Sequence, residues 1–121
     1  MATIINMSGG SISPVLLASV TSVPTSSTEI AGTENWKKYG AIYFVVKMHY
    51  NDKDNVVSFT NLILTKSVVN GVKYCVVRQS SASNNAEAGL SCLFYDDQIK
   101  ILKNVIPGYD IMGVDIYGVN F

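Results

Sequence analysis

Strict alternation of apolar and polar positions dominates the chain from residue 39 onward. In Ile42-Tyr43-Phe44-Val45-Val46-Lys47-Met48-His49-Tyr50, the residues Ile42, Phe44, Val46, Met48 and Tyr50 share one face. Tyr43, Val45, Lys47 and His49 share the other, more polar one. Period two with many β-branched and aromatic residues predicts a strand half-buried in a sheet. Asn51 to Asn55 reads as a turn by composition. A second strand is predicted over Val56 to Lys66, with Val57, Phe59 and Ile63 together. Leu62 and Leu64 fall instead on the side of Ser58 and Thr60, which predicts a bulge or a change of exposure near Asn61.

Asn70-Gly71 separates two further apolar runs. A type I′ turn needs positive φ at both central residues, and Asn-Gly adopts it at least cost. The pair predicts a tight hairpin joining strands 61–69 and 72–79. A polar loop follows over Ser80 to Gly89, then a hairpin of Leu90 to Tyr95 with Ile99 to Val105 around Asp96-Asp97-Gln98. Past Pro107-Gly108, Ile111 to Val119 is the last strand, with Met112, Val114 and Ile116 opposite Asp115 and Tyr117. No segment carries a capped 3.6-residue period, although a short helical turn fits Glu34 to Lys38. The fold class predicted is all-β: one antiparallel β-sandwich or jelly-roll-like domain with an N-terminal arm.

The arm is set apart by composition. Residues 1–35 contain no Lys or Arg, are punctuated by Gly9-Gly10, Pro14 and Pro24, and carry the tract Thr25-Ser26-Ser27-Thr28. The expected organisation is an arm or anchor over 1–35 and an antiparallel β domain over 36–121. So polar an arm keeps one place only when tied down, on its own domain or on another subunit. The strands of the body are self-sufficient in apolar pattern, so loss of 1–35 is expected to leave it folded, unless Ile12 to Val20 supplies a strand.

The chain has 121 residues, 48% hydrophobic and only 15% charged, with a formal net charge of zero. A surface so poor in charge relies on Ser, Thr and Asn for solubility or is covered by a partner, and the second is expected. Lys and Arg are too scattered to neutralise a row of phosphates, so no nucleic acid is expected as partner. No apolar run nears the ~20 residues needed to cross a bilayer, so no membrane insertion is expected. Val15 to Val20 lacks the preceding basic residues of a signal peptide. Cys75 and Cys92 are expected as buried thiols, with a disulfide as the alternative.

Catalytic chemistry finds little footing. His49 is the single histidine, with no nucleophile motif near it. Glu29, Glu34 and Glu87 lie in predicted loops. Asp52/Asp54 and Asp96/Asp97 offer carboxylates for Ca²⁺, but turns favour Asp on their own account. The chain is therefore expected not to be an enzyme, with no metal and no cofactor.

Two sets of residues stand out as sites. Gly113 and Gly118 remove side chains where another backbone approaches, so Gly113, Tyr117, Gly118 and Phe121 are expected at a subunit interface. Trp36, Tyr39, Tyr43 and Tyr95 belong to an excess of aromatic residues suited to stacking on a ligand.

The opening Ile4-Ile5-Asn6-Met7-Ser8-Gly9-Gly10, the Ser/Thr-rich arm, the charge-poor strands and the ending Pro107-Gly108-Tyr109 to Val119 resemble small virion proteins of tailed bacteriophages: fibre tips, head fibres and head or tail accessory proteins. That resemblance, one of style without a diagnostic motif, implies a structural or assembly role in the virion. It implies an arm docked to the particle, contacts with other virion proteins and a homo-oligomer, the trimer favoured. Synthesis in the host cytoplasm without a signal peptide goes with it. The alternative is a carbohydrate- or receptor-binding β-sandwich that uses its surface tyrosines, with a host-surface glycan as partner.

Overall fold

A computed structural model describes residues 5–7, 10–50, 52–80 and 87–121, and of 5–7, 10–12, 50 and 52–55 it describes the backbone alone. Among the described residues ten strands follow one another: β1 (Ile5–Met7), β2 (Gly10–Ile12), β3 (Val15–Val20), β4 (Thr28–Glu29), β5 (Ala41–Tyr50), β6 (Asp52–Leu64), β7 (Lys73–Ser80), β8 (Glu87–Tyr95), β9 (Gln98–Asn104) and β10 (Tyr109–Val119). Single turns of 3₁₀ helix occupy Trp36–Lys38, where a short helical turn is predicted, and Thr65–Ser67. Two antiparallel sheets of four strands, β3-β10-β5-β6 and β4-β9-β8-β7, form a sandwich, and β1-β2 form a separate ribbon. The all-β reading holds.

The alternation in β5 does what it predicts. Ile42, Phe44, Val46 and Met48 are fully buried, facing Leu90, Cys92, Phe94, Ile99 and Ile101 from the other sheet. In β10 the face set is interrupted. Its register against β5 slips between Ile111 and Gly113, so one extra residue is accommodated there. Ile111 and Val114, three apart, both point inward, and Met112 is turned out to solvent. Met112 is thus not on the core face with Val114 and Ile116, as simple alternation has it.

No bulge interrupts β6 near Asn61: its register against β5 runs unbroken from Val56 to Leu64. The inward series is Val57, Phe59, Asn61, Ile63, and the Asn61 amide donates from Nδ2 to the carbonyl of Val76 at 2.9 Å. That bond ties the edge of one sheet to β7 of the other. Leu62 and Leu64 simply face out. The backbone of β6 already begins at Asp52, inside the turn expected over 51–55, and Asn51 itself lies outside the described residues.

The Asn70-Gly71 turn exists, but the hairpin does not. Val72 N–H donates to the Val69 carbonyl at 3.3 Å and Gly71 has φ 74°. Strands β6 and β7 nonetheless belong to different sheets. Thr65 diverts the chain: its N–H donates to the Gly40 carbonyl at 3.1 Å and its hydroxyl to the Tyr39 carbonyl at 2.6 Å. Gly71 N–H then donates to Phe94 of the opposite sheet at 3.0 Å. An Asn-Gly pair specifies local backbone angles; which strand follows is decided by contacts further away.

Residues 15–35 are not a detached arm. Strand β3 pairs with β10 and β4 pairs with β9, so both sheets take one edge strand from this segment. The boundary expected at 35/36 therefore falls inside the sandwich. Among the described residues before Pro14, Ile5–Met7 and Gly10–Ile12 pair as the β1-β2 ribbon.

Both cysteines are free, and their environments differ. Tyr74 is opposite Cys92 and Cys75 opposite Ser91, so the thiols sit on opposite faces of one sheet and cannot pair. Cys92 is buried; Cys75 is exposed, against the expectation of two buried thiols. Burial pushes the Cys92 thiol up to about 12. A disulfide-exchange reagent such as DTNB is expected to titrate one thiol per native chain, removed by Cys75→Ser, and a second only after unfolding.

A candidate interaction surface

The outer face of the sheet β3-β10-β5-β6 is assembled by register. Leu16 lies opposite Tyr117, Tyr117 opposite Tyr43, and Tyr43 opposite Leu62, so these four residues make one row across all four strands. The next row holds Val119, Ala41 and Leu64. In the other direction come Ser19, Asp115, Val45 and Thr60, then Gly113, Lys47 and Ser58. One end of the face is therefore apolar and the other polar. The rings of Tyr43 and Tyr117 stand 6.1 Å apart and tilted. Tyr117 is 9% exposed, but Leu16, Leu62 and Leu64 remain 54%, 37% and 39% exposed. Lys47 and Asp115 are the charges in these rows, and Asp115 accepts the Ser19 hydroxyl at 2.6 Å.

The outer face of the other sheet has a different character. Glu29, Lys100, Leu93 and Lys73 form one of its rows. Arg78 and Glu87 add an ion pair at 3.7 Å. A face bearing charges of both signs is at ease in water, whereas a flat row of Leu and Tyr is not.

The residues expected at an interface fall on this apolar sheet, though for other reasons than a second backbone. Strand β10 is internal, between β3 and β5. A Cβ on Gly118 would lie 2.5 Å from the Tyr39 ring, and one on Gly113 would lie 3.2 Å from the Val20 carbonyl. The close approaches that these glycines allow come from their own chain. Phe121 lies with its ring against Gly40 and is 61% exposed.

The four aromatic residues expected to bind a ligand do not converge. Trp36 is 4% exposed, its indole N–H donates to the Tyr95 carbonyl at 2.6 Å, and its ring meets Phe94 edge-on at 4.8 Å. Tyr39 covers Gly118. Tyr95 carries the Lys100 ammonium 4.9 Å from its ring centre. Tyr43 alone belongs to the outer apolar row. Beside Trp36 an open hollow of about 500 Å³ is bordered by Lys37, Thr65, Asn70 and Asp96. Hydrogen bonds from Lys37 at 2.9 Å and from Asn70 at 3.0 Å hold the Asp96 carboxyl below its ordinary range.

Chemistry-bearing residues are dispersed. His49 is half-buried, its Nδ1 without a hydrogen-bond partner. Glu34 is occupied by the Gly32 N–H. Among the described residues no three His, Cys, Asp or Glu side chains gather as a metal site. The side chains of Asp52 and Asp54 lie outside the described residues. Among the described residues no helix is long and apolar enough to cross a membrane.

Comparison with protein-family models, curated proteins and solved structures finds no match.

Proposed function

We propose that the protein is a non-enzymatic assembly component that self-associates through the outer face of the β3-β10-β5-β6 sheet. The observation that carries this reading is the Leu16-Tyr117-Tyr43-Leu62 row, flanked on the same face by exposed Leu64. Leu16 on edge strand β3 and Leu62 and Leu64 on edge strand β6 bracket the two tyrosines. Apolar area of this kind gains about 25 cal/mol per Å² when removed from water, and a second subunit supplies the cover. The resemblance to small phage virion proteins gives that assembly its setting: a particle component, the trimer favoured, with the β1-β2 ribbon as the part that docks to other virion proteins. A glycan-binding role stands second, because three of the four aromatics proposed for it are engaged within the chain.

Sedimentation or light scattering tests the reading. The wild-type chain is expected at a multiple of 13.1 kDa. Leu16→Lys with Leu62→Lys is expected to give the monomer with its strand spectrum intact, since exposed substitutions usually shift stability by less than about 0.5 kcal/mol. A wild type of monomer mass overturns the proposal.

A further inference from the structure

We propose that Asn70-Gly71 is a latent self-modification site, a deamidation point held shut by two hydrogen bonds in the folded chain. The chemistry needs only water. The Gly71 backbone nitrogen attacks Cγ of Asn70, a new N–Cγ bond closes a five-membered succinimide, and Nδ2 leaves as ammonia with the amide proton. Water then opens the ring at either carbonyl to aspartate or isoaspartate. Glycine has no Cβ to hinder the attack, and both residues are exposed.

Two contacts oppose that step. Gly71 N–H, whose proton must leave, is donated to the Phe94 carbonyl at 3.0 Å. The Asn70 amide, which must rotate over the Gly71 nitrogen, donates from Nδ2 to Asp96 Oδ1 at 3.0 Å. Asp96 is in turn anchored by Lys37 at 2.9 Å. The lock thus joins the crossover between the sheets to the β8-β9 turn. Once modified, position 70 carries a carboxylate facing Asp96, and a donor–acceptor pair becomes a like-charge pair. The clasp then opens, and the crossover around Val68 loses its tie to the end of the core.

The test is ageing at mildly alkaline pH, followed by peptide mapping that separates Asn, Asp and isoAsp at position 70. Native wild type is expected to retain Asn70 while the urea-unfolded chain converts. Asp96→Ala, a change at an exposed turn, is expected to convert roughly tenfold faster than wild type under native conditions, about what release of one charge-assisted hydrogen bond allows. Hydrogen exchange at the Gly71 amide reads the other contact without any substitution, and protection is expected. Native conversion as fast as in urea, an Asp96→Ala rate equal to wild type, or an unprotected Gly71 amide overturns the proposal.

Discussion

A chain shortened to residues 36–121 is expected not to fold. The removed segment carries β3 and β4, so each sheet loses an edge strand and β10 loses its partner over Val114 to Gly118. It also carries Val23, which is buried, and Leu17, Val20 and Ile30, which pack against the core. Full burial of such a side chain is worth about 1.5–3 kcal/mol, and partial burial a share of that. Thr33 is the buried polar residue among the described residues of the segment: its hydroxyl donates to the Ile30 carbonyl at 2.7 Å and accepts the Ile99 N–H at 2.9 Å. Without it the Ile99 amide is left unsatisfied, a cost of about 1–3 kcal/mol. Two further bonds disappear, Lys103 N–H to Pro24 and Ile30 N–H to Ile99. The sum is of the order of the whole stability of a domain, about 5–15 kcal/mol. Circular dichroism and amide chemical-shift dispersion report the result. A cooperative transition in the 36–121 chain would show that β3 and β4 are dispensable after all.

That segment also shows where sequence reading stops. Strands β5, β8 and β9 announce themselves because each alternates within itself, and burial follows the alternation. Strand β3 is a six-residue apolar run between Pro14 and Pro24, β4 is two residues in a Ser/Thr tract, and their partners lie 71 to 103 residues away. Local composition cannot carry that information. The bulge at Met112 is invisible for a related reason: Ile111, Met112 and Val114 are all apolar, so either register satisfies the pattern.

The candidate surface was half legible. Tyr117 and Phe121 point to an interface, and Tyr43 to a ligand, but register alone puts Tyr43 and Tyr117 in one row. Leu62 and Leu64 gave the clearest signal. Strict alternation along β6 leaves both outside, and an apolar pair on the outer face is what distinguishes this sheet from its charged counterpart. Inserting a bulge to bury them hides the feature that suggests the function.

Trp36→Ala is expected to be the most damaging single substitution, and it separates a structural from a ligand-binding tryptophan. The indole is inserted between the 3₁₀ turn and β8, 4% exposed, with Phe94 edge-on at 4.8 Å and Tyr74 6.0 Å beyond on the same ring. Removal of a large buried aromatic costs about 3–5 kcal/mol through lost transfer energy and the cavity left behind. The Tyr95 carbonyl, which accepts the indole N–H at 2.6 Å, would also lose its donor at the start of the β8-β9 turn. A domain of this size loses roughly 2–8 °C in Tm per kcal/mol, so the midpoint should fall by about 6–40 °C. Trp36→Phe keeps the edge-on contact and loses the N–H, so a drop of about 1–3 kcal/mol is expected from it. Thermal melts of the two variants rank the contributions. If Trp36→Ala melts with the wild type, the ring is not part of the core, and the stacking role set aside above returns as the better account of this residue.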